Sequence, residues 1–257
     1  MGVMGARDYL KDVLVVYKAE HCDACNQISA ILKKFDCTHE KKIREKVIPK
    51  DFKKDRFAIS AGGDGTLLKT CQNIRNNSLV LGVNSDLLLS EGYLTRAKLD
   101  NFMQKFHNFI TGKAKIIKLP RLEVKINNKI LPQLALNEVS ISKIKPYLTF
   151  TYNLGGNVEK ATGILVSTPI GTTAWAGSTG GKKLPIRSKK MEFVIREPYK
   201  GKIYRVKNKL GFVNSFTVQA LSDGIIIFDS VEKEYHFKKK DIITVTFSKH
   251  KLNLVEP

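Results

Sequence analysis

The stretch RFAISAGGDGTLLKTCQNIRN, residues 56–76, decides how the rest of the chain is read. Its opening, RFAIS, is a short apolar run suited to a buried strand, and its close, LLKTCQNIRN, reads as a helix. Between them Gly62-Gly63-Asp64-Gly65-Thr66 makes a strand-to-helix turn. Glycines in such a turn let backbone amides approach phosphate oxygens closely, and the helix N-terminus adds a dipole that favours negative charge. Asp64 is out of place among phosphate-binding amides. A carboxylate there is electrostatically costly unless it takes a proton from an attacking hydroxyl or helps organise a bound cation. The plainer alternative is a tight turn that uses Asp-Gly for its positive φ.

The same alternation extends on both sides of this turn. VLVVY from Val13 reads as a strand, and CNQISAILKKF, with Ile28, Ile31, Leu32 and Phe35 on one face, reads as an amphipathic helix. SLVLGV from Ser78 is a further buried strand. Strands alternating with helices predict a parallel α/β sheet. LDNFMQKFHNFITG, residues 99–112, adds a helical face of Phe102, Phe106, Phe109 and Ile110. After it, LEVKINN, LALNEVSISK, YLTFTYNLGG, GILVSTP, FVIREP, SFTVQAL, GIIIFDS and DIITVTF are short, β-branched and separated by turn residues. The expected organisation is an α/β domain over residues 1–99 carrying the glycine turn, and a β-rich, antiparallel domain over 100–257. The sequence closes on KLNLVEP, with no helix pattern after the last strand pattern.

At 257 residues the chain is long enough for two modest cores, and its 42% hydrophobic and 26% charged content is ordinary for a globular protein. No apolar run reaches the roughly 18–20 residues needed to cross a bilayer. MGVMGARDYLKD lacks the apolar block of a secretory signal, and Ala6 stands where a myristoylation pattern wants Ser or Thr, so a cytoplasmic location is expected. Cys22 and Cys25 form a C-x-x-C, which could be redox-active or half a zinc site; with no second close Cys/His pair, reduced structural thiols are expected for all four cysteines. The net charge of +20 invites a nucleic-acid reading. The basic runs KKIREK, KKDR, KKLPIRSKK and HFKKKD are spread from end to end, however, with no groove-reading motif. Such a field attracts polyanionic nucleotides as readily.

Two more motifs carry chemistry. In LALNEVSIS, strand alternation sends Asn137 and Glu138 to opposite faces unless a bulge or strand end lets both point into one cleft, where an amide and a carboxylate suit ribose hydroxyls. GILVSTPIGTTAWAGSTGG, residues 163–181, runs from a strand into a turn dense with hydroxyls: Ser167, Thr168, Thr172, Thr173, Ser178 and Thr179. Trp175 within it offers a flat surface for a ring.

In this order the motifs resemble the NAD kinase family, part of a superfamily that shares G-G-D-G with lipid kinases. The resemblance rests on GGDGTLL at Gly62, GVN at Gly82, GYLT at Gly92, LNEVSI at Leu136, STPIGTTAWAGSTGG at Ser167 and SDG at Ser222. It implies an N-terminal α/β domain, a β-rich C-terminal domain, and an NAD site in the cleft between them, often completed in a homo-oligomer, dimer or tetramer. It implies that Asp64 accepts the proton of the adenosine ribose 2′-hydroxyl as that oxygen attacks the terminal phosphate of ATP. Gly62, Gly63, Gly65 and Thr66 would hold phosphates, with Mg²⁺ bridging the donor's oxygens. Asn137 and Glu138 would bind the dinucleotide, and Thr173, Ala174, Trp175 and Ser178 would line the pocket for the bases.

Several positions depart from the family pattern. The third motif usually opens with G-D-G, and here reads Ala161-Thr162-Gly163; Thr162 keeps a hydrogen bond and loses a charge. Lys160 stands where the family often has a basic residue, and Trp175 replaces the usual tyrosine. SDLLLSE, from Ser85, looks more like the divergent branch that includes mitochondrial-type NAD kinases, which leaves NAD and NADH both open as acceptor. A lipid kinase of the same superfamily should continue differently after Thr66, and a phosphofructokinase would carry serine directly after G-G-D-G, where this chain has Thr66, and would be longer. A non-catalytic NAD-binding sensor would have no need of Asp64.

Overall fold

The computed structural model describes residues 6–85, 91–145 and 147–257. The chain forms two compact units: the described residues up to Leu119 together with His250–Pro257, and Pro120–Lys249. The first ninety-nine residues are therefore not a unit by themselves.

In the first unit β1 (Val13–Tyr17), α1 (Cys22–Lys34), β2 (His39–Ile43), β3 (Phe57–Ala61), α2 (Asp64–Cys71), β4 (Leu79–Asn84), β5 (Ala97–Lys98), α3 (Phe102–Ile110) and β6 (Lys115–Leu119) follow in sequence. The sheet order is β2-β1-β3-β4, then the chain's last strand, then β6, with β5 also on β4. All pairs are parallel except that of β6 with the last strand. Val13–Val16 and Phe57–Ala61 are wholly buried, as parallel strands covered on both faces require. The boundary falls at Leu119 because α3 belongs to this core. Phe109 stacks on Phe57 at 4.4 Å between ring centroids, and Phe106 meets Phe35 edge-on at 5.3 Å. Each such ring, once buried, contributes about 1.5–3 kcal/mol.

Four strands of this sheet, β2, β5, β6 and the chain's last, escape a sequence reading. β2 is HEKKI, an edge strand whose charged side chains leave it partly exposed. Leu252–Glu256 returns from the second unit and inserts between β4 and β6, so the terminal KLNLVEP is core, with Leu252–Val255 buried. The helix after the glycine turn begins at Asp64 itself and ends at Cys71, short of the expected INR continuation. There Asn73 Nδ2 donates to the carbonyl of Lys69, and Arg75 Nη1 to those of Gln72 and Ile74.

The second unit holds β7 (Leu122–Ile126), β8 (Lys129–Ile130), β9 (Glu138–Ser142), β10 (Phe150–Leu154), β11 (Asn157–Ser167), a helical turn α4 (Trp175–Ser178), β12 (Met191–Pro198), β13 (Leu210–Val213), β14 (Ser215–Ala220), β15 (Gly224–Phe228), β16 (Glu234–Phe237) and β17 (Ile242–Phe247); the returning strand is β18. β7–β17 form one sheet of eleven strands in the order β16-β15-β9-β11-β10-β14-β17-β7-β8, with β12 on β11 and β13 on β12. Every pair is antiparallel, as the sequence pattern predicts. Register brings three chain segments together: Ser167 pairs with Glu138, and Phe228 with Val139. The start of β9, the end of β11 and the end of β15 thus share one end of the sheet.

Among the described residues no helix is long and apolar enough to cross a membrane. The four cysteines are free thiols, Cys22 exposed and the others buried.

Candidate functional site

In the first unit the site is built on the turn between β3 and α2. Gly62 has φ +156°, and a Cβ there would stand 2.5 Å from Thr66 Oγ1, so the turn closes on its own helix only with glycine. Gly63 caps α2 and Asp64 is its first residue. The Asp64 carboxylate accepts the backbone N–H of Tyr93 (2.8 Å) at Oδ2 and those of Leu94 (2.9 Å) and Thr95 (3.1 Å) at Oδ1. The segment after β4 is thereby tied to the glycine turn, and the carboxylate is fixed in direction by bonds to rigid backbone. Thr66 is buried, and its hydroxyl accepts a bond from Arg44 Nη1 at 3.3 Å. Arg44 brings a permanent cation to the phosphate-type turn. Its place in KKIREK, a run that reads as solvated surface, hides it from a sequence reading. Residues 86–90, where the chain departs from the family form between Asn84 and Gly92, lie outside the described residues.

In the second unit, Asn137 immediately precedes β9 and Glu138 is its first residue, so the pair stands at a strand end rather than alternating along a strand. Both are buried. Burial, with the neighbouring Asp229, pushes the Glu138 carboxyl up to about 8, and its Oε2 has no hydrogen-bond partner among the described residues. Asn137 and Leu136 turn their carbonyls toward the third motif. Thr168 N–H donates to Asn137 O (2.8 Å), Thr168 Oγ1 to Leu136 O (2.6 Å) and Ser167 Oγ to Asn137 O (3.3 Å). A Cβ on Gly171 would lie 2.1 Å from Asn137 O, so this contact admits only glycine.

The hydroxyls of the third motif are largely committed to that turn. Thr172 donates to Pro169 O, Thr173 to Ile170 O, Ser178 to Ala174 O and Thr179 to Ala176 O. They brace a 3₁₀ turn, Gly171–Thr173, that leads through Ala174 into α4. Trp175 is half-buried and does not present a bare ring: the Arg196 guanidinium lies over it at 4.4 Å from the centroid. Lys160 extends over Tyr199 at 5.1 Å. Thr162 donates to the carboxylate of Glu197, the residue after Arg196. A carboxylate therefore does stand at position 162, delivered from β12 by Glu197, whose backbone sits at φ +36°.

Asp229, like Arg196 and Glu197, is a residue that sequence reasoning missed in this unit. SDG at Ser222 stands apart from Asn137 and Glu138: Asp223 is exposed and accepts the N–H of Lys239 at 2.8 Å. Asp229, at the end of β15, is instead the carboxylate that reaches Asn137 and Glu138, accepting their N–H groups at 2.7 and 3.1 Å.

A family model, the ATP-NAD kinase C-terminal domain, matches residues 108–257. A probable NADH kinase of Oryza sativa subsp. japonica is 33% identical over 167 residues, 55% of this chain and about half, 51%, of that protein. An NAD kinase of Thermoplasma volcanium is 28% identical over 202 residues, 77% of this chain and 72% of that one. Among solved structures, an NAD kinase from Archaeoglobus fulgidus in complex with ATP shares the fold at a TM-score of 0.77 and 23% identity, covering 95% of this chain and 92% of its own. The yeast NADH kinase complexed with NADH does so at 0.75 and 17%, covering 96% and 84%. With the family model spanning more than half of its residues, the chain belongs to the NAD kinase family.

Proposed function

We propose that the protein is an ATP-dependent kinase that phosphorylates the adenosine ribose 2′-hydroxyl of NAD or NADH to give NADP(H), acting in the cytoplasm as a homo-oligomer. The observation that carries the reading is the Asp64 carboxylate, held by the N–H groups of Tyr93, Leu94 and Thr95 at the mouth of a glycine turn. On this reading Asp64 takes the hydroxyl proton as the ribose oxygen attacks the terminal phosphate, with ADP as leaving group. Gly62, Gly63, Gly65 and Thr66 hold phosphate oxygens, and Arg44 adds charge beside Thr66. Mg²⁺ arriving with ATP would neutralise the donor's oxygens.

Asn137 and Glu138 bind the dinucleotide, with Lys160, Thr162, Thr173, Ala174, Trp175 and Ser178 around it. The Arg196–Trp175 stack supports a recognition surface for a ring or a phosphate at that position. The test is an ATP- and Mg²⁺-dependent assay with NAD and NADH as separate acceptors, read by a dehydrogenase specific for NADP(H). Product from either acceptor supports the reading and ranks the two. Tight NAD binding with no product would make the protein a sensor, and no NAD binding would return the question to lipid acceptors.

A further inference from the structure

Asp229 is 4% exposed, and two other ionisable groups are near enough to act on it, Glu138 and the fully buried Arg121. A carboxylate is taken out of water at a cost of several kcal/mol unless strong donors replace the lost hydration. Here the donors are backbone. Leu136 N–H meets Oδ2 at 2.7 Å, and the N–H groups of Asn137 and Glu138 meet Oδ1 at 2.7 and 3.1 Å. Asp229 returns its own N–H to the carbonyl of Glu138 at 2.9 Å. The clasp is made just as β15 ends, and Asp229 and Ser230 both adopt left-handed backbone, at φ 52° and 54°. Such conformations cost of order 1 kcal/mol each in residues with a side chain, so the surroundings hold them in place.

The clasp has a second side. The strip Leu136–Glu138 gives its N–H groups to Asp229 and the carbonyls of Leu136 and Asn137 to Ser167 and Thr168, while Gly171 presses on the Asn137 carbonyl. It is a single backbone layer between a buried carboxylate and the Gly171–Thr173 turn. Any shift of Asp229 moves the Glu138 side chain and the seat of that turn together.

We infer that Asp229 is a positioning residue, which sets the Glu138 carboxyl and the Thr168–Thr173 turn in the geometry that receives the dinucleotide. The inference rests on the kinase reading above. Asp229 acts through the strip and not by touching the dinucleotide, so its loss weakens dinucleotide capture and spares the phosphoryl-transfer step and the nucleotide donor.

The experiment compares the full-length wild type with Asp229→Asn and Thr168→Val in steady-state kinetics, varying NAD and ATP separately. The amide keeps the shape of the side chain and turns one acceptor into a donor facing N–H groups. Thr168→Val loosens the strip from its other side and leaves the carboxylate intact, so it serves even where Asp229→Asn does not fold. The expected result for each folded variant is a KM for NAD raised about tenfold or more, with kcat and the KM for ATP within about threefold of wild type, the signature of lost uniform binding. Asp229→Glu, which restores a carboxylate, should recover part of the NAD affinity. An unchanged KM for NAD in the folded variants, or equal losses for both substrates, overturns the positioning role while an active wild type leaves the kinase reading standing. A wild type that neither binds nor phosphorylates NAD takes down the reading and this inference with it.

Discussion

Two aspartates in this protein do the same thing with their oxygens and differ in where they do it. Asp64 accepts three successive backbone N–H groups, from Tyr93 to Thr95, and Asp229 accepts three successive ones, from Leu136 to Glu138. Asp64 sits half-buried on the first turn of a helix that follows glycines, where a solute can reach it. Asp229 is sealed behind a strand end. On the proposed kinase reading the same clasp aims a reagent in the first case and supports a wall in the second, and the difference in exposure is what separates the two roles.

The sharpest way to break the comparison is Asp64→Asn. If the half-buried carboxylate is the proton acceptor, turnover should fall by about a thousandfold, within the range general-base loss usually produces. NAD affinity should stay within roughly tenfold, since the loss is in the transition state. Rates and titration calorimetry on the same preparation separate the two, and a variant that retains turnover removes Asp64 from the chemistry.

Stability should rank the aspartates the other way. Asp229→Ala strands three N–H groups where water does not reach, at about 1–3 kcal/mol each before relaxation, so a loss on the order of 3–5 kcal/mol is expected. Asp64→Ala leaves the donor of exposed Tyr93 to water and strands only those of buried Leu94 and Thr95, beside a half-buried site, so it should cost less, about 1–2 kcal/mol. Urea unfolding of both variants checks the order, and equal losses would mean that the difference in burial carries no weight.

How far each clasp is legible in the sequence follows from chain distance. Asp64 announces itself because its glycines, strand and helix are contiguous in residues 56–76. Asp229 lies 91–93 residues from the N–H groups it holds, and only the register of β15 on β9 brings them together. The nearer-looking motif, SDG at Ser222, turns outward. The alternating first half and the β-rich second half were legible because apolar periodicity is local. β2 and β18 were not, since one is charged along an edge and the other is placed by a chain return. Arg196 on Trp175 and Glu197 on Thr162 were likewise hidden, because β12 pairs with β11 across the GGKKLPIRSKK loop.

The buried clasp also predicts a pH signature. Burial raises Asp229 to about 7, although its three N–H bonds and Arg121 pull it back down, and raises Glu138, whose Oε2 meets no donor among the described residues, to about 8. The three N–H donors favour the ionised form of Asp229, and burial beside Asp229 favours the protonated form of Glu138. Glu138 binds its proton more tightly folded than unfolded. Its contribution to stability is thus fully present below about pH 4.5 and is lost as pH rises toward 8. Glu138→Gln removes that dependence. The variant's melting temperature should gain on wild type between pH 5 and 8.5, by a few degrees for each kcal/mol at this chain length. Parallel pH dependences for the two proteins would mean that Glu138 is ionised throughout.

The smallest effect expected tests whether a third carboxylate joins these two. Position 162 is threonine where the family pattern carries aspartate, and Glu197 delivers its carboxylate to the Thr162 hydroxyl from the neighbouring strand. Glu197 is exposed and holds a left-handed φ of 36°. Exposed charges are worth at most about 1 kcal/mol, so Glu197→Gln should weaken NAD binding by only about two- to fivefold. The informative variant is the double, Glu197→Gln with Thr162→Asp, which moves the charge from β12 back to β11. Recovery of affinity in the double would mean that the charge, and not the side chain bearing it, is what the dinucleotide meets. If the single variant binds as wild type does, the Thr162–Glu197 contact only joins two strands, and the carboxylates that matter to NAD reduce to the pair joined at the start of β9.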